Sequence, residues 1–358
     1  MKKNKTVLIS PLDWGLGHAT RVTPIINYLL ECGIRVILAA DGRAYHYFRK
    51  EFPDLILYRL PGIRVSYSKV WPFAVAIFFQ LPKILLGIQG EKRKLKRLLK
   101  KESVDLIISD NRYGLNCKSV PSVFISHQVN ILMPYQFRFF ERAVHKILSW
   151  SSHKFTHYWI PDMAEKPNLS GILSHPPSKN GSEYIGALSR LEPIATRKKL
   201  DFLIMLSGPE PQRTIFEQKI LSNTVLNKYT VAMVRGLPEN TDLPENAQGM
   251  KVFNHVTAFE LSSLICSAKY VICRSGYSTL MDLYHLQTPA VLVPTPGQTE
   301  QEYLARHLNN GSFKSINQKK FTLEQAIEFG ENLKKPDKPR GREVFKKAVD
   351  KVIDQYLK

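Results

Sequence analysis

Two runs in this chain carry side chains able to do chemistry. The first, Asp13-Trp-Gly-Leu-Gly-His18, lies between an apolar stretch and a helical pattern. Its glycines, Gly17 among them, let a ligand approach the backbone, and NH groups at a helix start favour anions. A tight turn would use the same glycines, but His18 at the helix entrance is also a candidate general base. Asp110 closes the next apolar run at the same sheet edge, where it could orient His18 and stabilise its protonated form, or only cap a turn. His127, one strand further, is another candidate to line the site. The second run is Cys273-Arg-Ser-Gly-Tyr-Ser-Thr-Leu-Met-Asp282, followed by residues 288–296 and Gln298-Thr-Glu-Gln-Glu-Tyr303. Here Arg274, Ser275 and Gly276 would offer a cation and backbone NH groups to a diphosphate at a helix start. Asp282, further along that helix, could accept two vicinal hydroxyls, or be an ordinary acid near a helix N-terminus. The 298–302 turn suits the reading of sugar hydroxyls, or is merely solvated.

The elements that must position these groups follow from hydrophobic periodicity. Apolar residues Val22, Ile25, Ile26, Leu29 and Leu30 recur at helical spacing between strands at 5–10 and 34–40, a βαβ opening. Further strands are expected at 55–58, 104–109 and 122–126. Residues 161–200 then turn to linker composition, with one short strand near Tyr184. Strands at 201–206, 230–234, 250–253, 270–273 and 290–293 restart the alternation. The expectation is an α/β chain of two doubly wound, Rossmann-like domains facing across a cleft, with functional loops at the carboxyl ends of parallel strands. The expected divisions are an acceptor-side domain at 1–165, a linker at 166–200, a ligand-binding domain at 201–335 and a packing helix at 336–358. That last segment carries Phe345, Ala348, Val349 and Val352 on one face.

Composition narrows the partners. A chain of 358 residues, 44% hydrophobic and 23% charged, can bury two cores and is not a disordered polymer. A formal charge of +20 points to an acidic partner. No nucleic-acid signature is present, so nucleic acid is not expected. Cys32, Cys117, Cys266 and Cys273 form no CxxC pair and read as reduced core residues of a cytoplasmic protein. The basic start followed by only three apolar residues reads as a first strand rather than a signal peptide. The apolar stretch from 70 to 88 is interrupted too often to span a bilayer.

Cys273-Arg-Ser-Gly276 with Asp282, Pro289-Ala-Val-Leu-Val-Pro294 and Glu300-Gln-Glu-Tyr-Leu-Ala305 resemble the carboxyl domain of MurG-type (family 28) UDP-N-acetylglucosamine transferases of the GT-B group. The GLGH loop and two-domain layout look like the same group. The resemblance implies that Asp282 binds the ribose, Ser275 and Gly276 face the diphosphate, and Glu300 and Gln301 contact the donor sugar. It also implies that Phe253, Asn254 and His255 line the uracil, that Arg190 meets phosphate, and that Ser207 and Gly208 stand in the glycine-rich turn of the family. This chain departs from the pattern in its first loop, crowded by Trp14 and Leu16, in Ser207-Gly-Pro-Glu-Pro211, and in carrying an aspartate for the ribose glutamate. The expected activity is inverting glycosyl transfer from a UDP-sugar co-substrate to a lipid-linked or cell-envelope glycan. His18 and Asp110 would be the base dyad, and neither a metal nor another cofactor is needed. The alternatives are a UDP-sugar hydrolase, for which Asp110-Asn-Arg-Tyr113 is suggestive, or a non-catalytic sugar-nucleotide or membrane-binding module.

Between 70 and 101 an apolar stretch runs into Glu91-Lys-Arg-Lys-Leu-Lys-Arg-Leu-Leu-Lys-Lys101. Leu95, Leu98 and Leu99 share one helical face. That face could lie on an anionic leaflet, making the protein peripheral at the inner face of the cytoplasmic membrane, or it could cover the sheet.

Overall fold

The structure, a computed structural model, describes residues 5–63, 80–132, 141–175, 182–237, 240–244, 249–337 and 342–358. Residues 64–79, part of the expected acceptor stretch, lie outside them. The chain divides into two compact units, residues 1–188 with 340–358, and residues 189–339.

In the first unit, β1 (Thr6–Pro11), β2 (Arg35–Ala40), β3 (Ile56–Arg59), β4 (Leu106–Asp110), β5 (Ser122–Ile125), β6 (His157–Ile160) and β7 (Ser182–Tyr184) form one parallel sheet in the order β3-β2-β1-β4-β5-β6-β7. Parallel strands require crossovers, here including α1 (Leu16–Glu31), α2 (Gly42–Glu51), α3 (Leu81–Leu99) and α4 (Glu141–Ser152). Chain direction away from β1 reverses between β1 and β4, the switch point at which doubly wound sheets open for ligands. Register pairs Pro11 with Asp110 and Asp110 with Ile125, so the first loop, Asp110 and His127 share one sheet edge.

The division at 188/189 falls inside the linker expected at 166–200. β7 pairs with β6, which ties the polar segment before it to the first sheet. α10 (Arg342–Tyr356) belongs to this unit as well, on α1: the Tyr28 hydroxyl donates to Asp350 Oδ1 at 2.7 Å, and Phe345 meets the Tyr28 ring edge-on. The leucines of α3 settle the choice left open by periodicity. Leu95 and Leu98 are buried against Leu8, Ile37 and Ile107 of the sheet, with Leu99 packed partly buried beside them, so the cations of this helix form its outer face.

In the second unit, β8 (Leu200–Met205), β9 (Val231–Val234), β10 (Met250–Phe253), β11 (Ala268–Cys273), β12 (Ala290–Leu292) and β13 (Phe313–Ser315) form a parallel sheet in the order β10-β9-β8-β11-β12-β13. Its switch point lies between β8 and β11, where Met205 pairs with Cys273. The loops beginning at Leu206 and Arg274 therefore emerge side by side. Helices α5 (Gln212–Leu221), α6 (Ala258–Ser267), α7 (Tyr277–His285), α8 (Thr299–His307) and α9 (Leu323–Glu331) complete the unit. Thr257 and Glu260 form a reciprocal capping box that fixes the start of α6.

Candidate active site

The amino-terminal site begins with Gly15, whose φ of 118° is open to glycine and strained for other residues. It starts α1 without a side-chain cap, leaving Gly17 and His18 in the first turn. The crowding residues of this loop serve to brace it: Trp14 Nε1 donates to the Ile63 carbonyl at 3.0 Å, and Asp13 accepts from the Ala44 backbone at the start of α2.

His18 Nδ1 stands 3.2 Å from Asp110 Oδ1, and Asp110 is fully buried. The expected dyad is thus assembled, but it has a third member that the sequence reading missed. Arg21, one turn after His18 on the same helix face, donates from Nε to Asp110 Oδ2 at 2.9 Å and from Nη2 to Oδ1. Burial alone would raise the Asp110 carboxyl, but the Arg21 cation, with His18, overcomes it and holds the group down at about 2. Asp110 is therefore charged at neutral pH. Arg21 also reaches His18 Nδ1 and, through Nη1, His127 Nδ1, each at 2.8 Å. The signal available in the sequence was the i,i+3 spacing of His18 and Arg21.

The carboxyl-terminal site lies on the 206–211 loop, the start of α7 and the 293–302 turn. Ser207 and Gly208 are exposed, and Gly208 has φ 105°. A Cβ there would stand 3.4 Å from Thr295 Oγ1, so this loop abuts the turn after β12. Gly276 starts α7 with no side-chain cap. Asp282 is half-buried on that helix, and Ser189 Oγ donates to its Oδ1 at 2.6 Å. Burial lifts the Asp282 carboxyl to about 6, against the pull of Ser189 and the nearby Arg190 cation. Arg190, half-buried, thereby stands beside the carboxylate.

Three expected side-chain contacts, those of Arg274, Gln301 and Asn254, are redirected. Arg274 does not present its side chain to a diphosphate: it is fully buried, donating to the carbonyls of Val293, Pro294 and Gln212 and lying over the Phe216 ring. Burial lowers its guanidinium to about 10, still charged at neutral pH. Ser275 is buried and donates its hydroxyl to the Gln301 carbonyl at 2.8 Å, leaving only its backbone for a ligand. Gln301 uses its carboxamide inside the turn, accepting from the Thr295 backbone at 2.9 Å and donating to Gln298 Oε1 at 2.5 Å. Asn254 is likewise committed, accepting from Arg235 Nη1 at 2.7 Å and donating to the carbonyls of Asn240 and Asp242. In each case a polar side chain shapes the wall in place of reaching out of it. Phe253 is half-buried at the end of β10, His255 is exposed beyond it, and Glu300 is half-buried in the first turn of α8. Behind this wall Arg235 and Arg213 both pair with the buried Glu217, a network invisible to motif reading.

The described residues contain no group of three or more His, Cys, Asp or Glu placed to hold a metal, and no helix long and apolar enough to cross a membrane. Cys273 is buried and its thiol is pushed up to about 12, so it stays protonated.

Two doubly wound units, each with polar groups gathered at its switch point, have the architecture of the GT-B fold, and comparison with known proteins supplies the class of activity. Residues 214–356 match the glycosyltransferase family 28 C-terminal domain. The chain is a glycosyltransferase that is similar to the MurG type. It is 23% identical over 309 residues, 84% of this chain and 80% of the relative, to a UDP-N-acetylglucosamine--N-acetylmuramyl-(pentapeptide) pyrophosphoryl-undecaprenol N-acetylglucosamine transferase of Clostridium botulinum (strain Alaska E43 / Type E3). The protein of the same name from Desulforudis audaxviator (strain MP104C) is 48% identical over 52 residues, 14% of each chain. Among solved structures, Acinetobacter baumannii MurG superposes with a TM-score of 0.55 at 13% identity, covering 98% of this chain and all of that one. The kitacinnamycin glycotransferase gives 0.64 at 16%, covering 99% of this chain and all of its own.

Proposed function

We propose that the protein transfers N-acetylglucosamine from a UDP-sugar to a hydroxyl of a lipid-linked cell-envelope acceptor, with inversion at the anomeric carbon. The observation that carries this reading is the His18–Asp110 contact at the switch point of the first unit, in a chain of glycosyltransferase class. His18 takes the proton from the acceptor hydroxyl as its oxygen attacks the anomeric carbon. Asp110, held as a carboxylate, stabilises the imidazolium. The bond to the departing UDP oxygen breaks, and the charge that develops there is met by the start of α7 and by Arg190. Buried Arg274 adds a fixed positive charge from beneath that helix start, without touching the diphosphate. Asp282 accepts the ribose hydroxyls, with Ser189 holding one of its oxygens in place.

The lipid-linked acceptor is supported by the substrate named for the Clostridium relative and by the outer face of α3. There Leu86 is 69% exposed and Leu85 37%, and the same face continues into Arg93, Lys96 and Arg97. An apolar tip backed by cations suits an anionic bilayer surface and supports a peripheral position on the cytoplasmic side.

A thermal-shift panel of nucleotide sugars tests the donor, since a ligand at about a hundred times its Kd adds about 2.7 kcal/mol of stability. UDP-N-acetylglucosamine should give the largest shift, and UDP release should require a lipid-linked acceptor. UDP release at the same rate without acceptor would make the protein a hydrolase, and donor binding without turnover would make it a binding module.

A further inference from the structure

Arg21 makes contacts that a His–Asp dyad does not need. Its guanidinium is buried, with Nε and Nη2 on the two oxygens of Asp110. The same Nη2 lies 2.8 Å from His18 Nδ1, and Nη1 lies 2.8 Å from His127 Nδ1. An arginine side chain has donors and no acceptor, so a ring nitrogen this close must offer a lone pair. A neutral imidazole with its lone pair on Nδ1 carries its proton on Nε2.

We propose that Arg21 is a positioning residue of the transfer reaction that holds His18 and His127 as Nε2–H tautomers in the resting enzyme. The inference rests on the reading of His18 as the base, because it concerns when that base is available. In the resting form His18 Nε2 carries a proton and cannot take one. The base-competent form has its proton on Nδ1, donated to Asp110 Oδ1, which lies 3.2 Å away. Interconversion releases the Nε2 proton to solvent and gains one at Nδ1, with no net change. Arg21 and Asp110 thus compete for one nitrogen, and the shorter contact belongs to Arg21. Arg21 Nη2 must therefore give up Nδ1 when the tautomers interconvert, and the imidazolium formed during transfer, with N–H on both nitrogens, keeps it away.

His18 and Arg21 come from α1, Asp110 ends β4, and His127 follows β5. The neighbouring phenols Tyr113 and Tyr158 are raised by burial and stay neutral. Asp110 is the one anion among these groups, and Arg21 engages both of its oxygens.

The test is a long-range 1H–15N spectrum of the full-length protein labelled on histidine nitrogens, at about pH 8, with His18→Gln and His127→Gln spectra for assignment. Both residues should show the Nε2–H pattern. In Arg21→Lys, which keeps a cation beside Asp110 but cannot span three partners, His18 should change to the Nδ1–H pattern. A purely structural role would lower the rate and leave the His18 pattern as Nε2–H. An Nδ1–H pattern for His18 in the wild type, or an unchanged pattern in Arg21→Lys, overturns the proposal. If the lysine variant does not fold, the wild-type spectrum decides alone. The tautomers are read without turnover, so a failure of the transferase reading is seen separately, as absent product with the Nε2–H pattern intact.

Discussion

Replacing Asp282 by asparagine should make the protein more stable and a worse enzyme. Burial raises the Asp282 carboxyl from its ordinary 3.8 to about 6. The folded protein therefore binds a proton more readily than the unfolded chain, and the stability this group contributes is lost as pH rises from about 4 through about 6. Above that range the charged form costs about 3 kcal/mol relative to the unfolded chain. Water at its partly exposed face screens some of this, so about 1–2 kcal/mol should be recovered on substitution. Asparagine keeps the acceptor oxygen for Ser189 and carries no charge, so it removes the cost and little else. For a unit of about 150 residues that gain corresponds to a rise in Tm of roughly 3–6 °C at about pH 7.5, shrinking toward zero near pH 4. UDP affinity, measured by calorimetry at the same pH, should fall by about tenfold to a hundredfold, because hydrogen bonds to a charged acceptor are worth about 1.5–3 kcal/mol. Wild-type affinity should weaken as pH drops below about 6. A less stable variant at pH 7.5, or a stability difference that does not change with pH, would refute the reasoning.

His18→Ala should lower the transfer rate by about 10²–10⁴ and leave UDP binding unchanged, as read by initial rates and calorimetry; an undiminished rate removes the base assignment. Gly208→Ala forces an alanine to φ 105° and sets its methyl against Thr295, so Tm should fall by the equivalent of about 1–3 kcal/mol with weaker UDP binding. Arg235→Met strips one cation from buried Glu217 and frees Asn254, and urea titration should show a loss of about 3 kcal/mol. Leu86→Asp should reduce co-sedimentation with anionic vesicles at low salt by about tenfold or more without changing Tm, since that side chain is exposed.

Much of the fold was legible because each strand is an apolar run bounded by turn residues. The pairing of His18 with Asp110 followed from two strand ends of one parallel sheet, and the motif around Cys273–Asp282 begins at the switch point of the second sheet. What misled were the side chains in those motifs. Arg274 and Gln301 read as ligand groups because their types suit a diphosphate and a sugar, yet both satisfy backbone atoms of turns. A buried donor must find an acceptor: for Arg274 these lie on loops distant in sequence, and for Gln301 the partners are in its own turn.

The sequence by itself determined the class of the fold, the sheet edges that carry function and the residues at their tips, because periodicity and strand-end position are local properties of the chain. Tertiary structure alone decided the partners. It placed Arg21 on Asp110, joined Ser189 to Asp282, turned Leu95 and Leu98 of α3 onto the sheet and returned α10 to the first unit. These depend on which surfaces are desolvated together, and burial sets both the charge each group carries and the atom that must answer it.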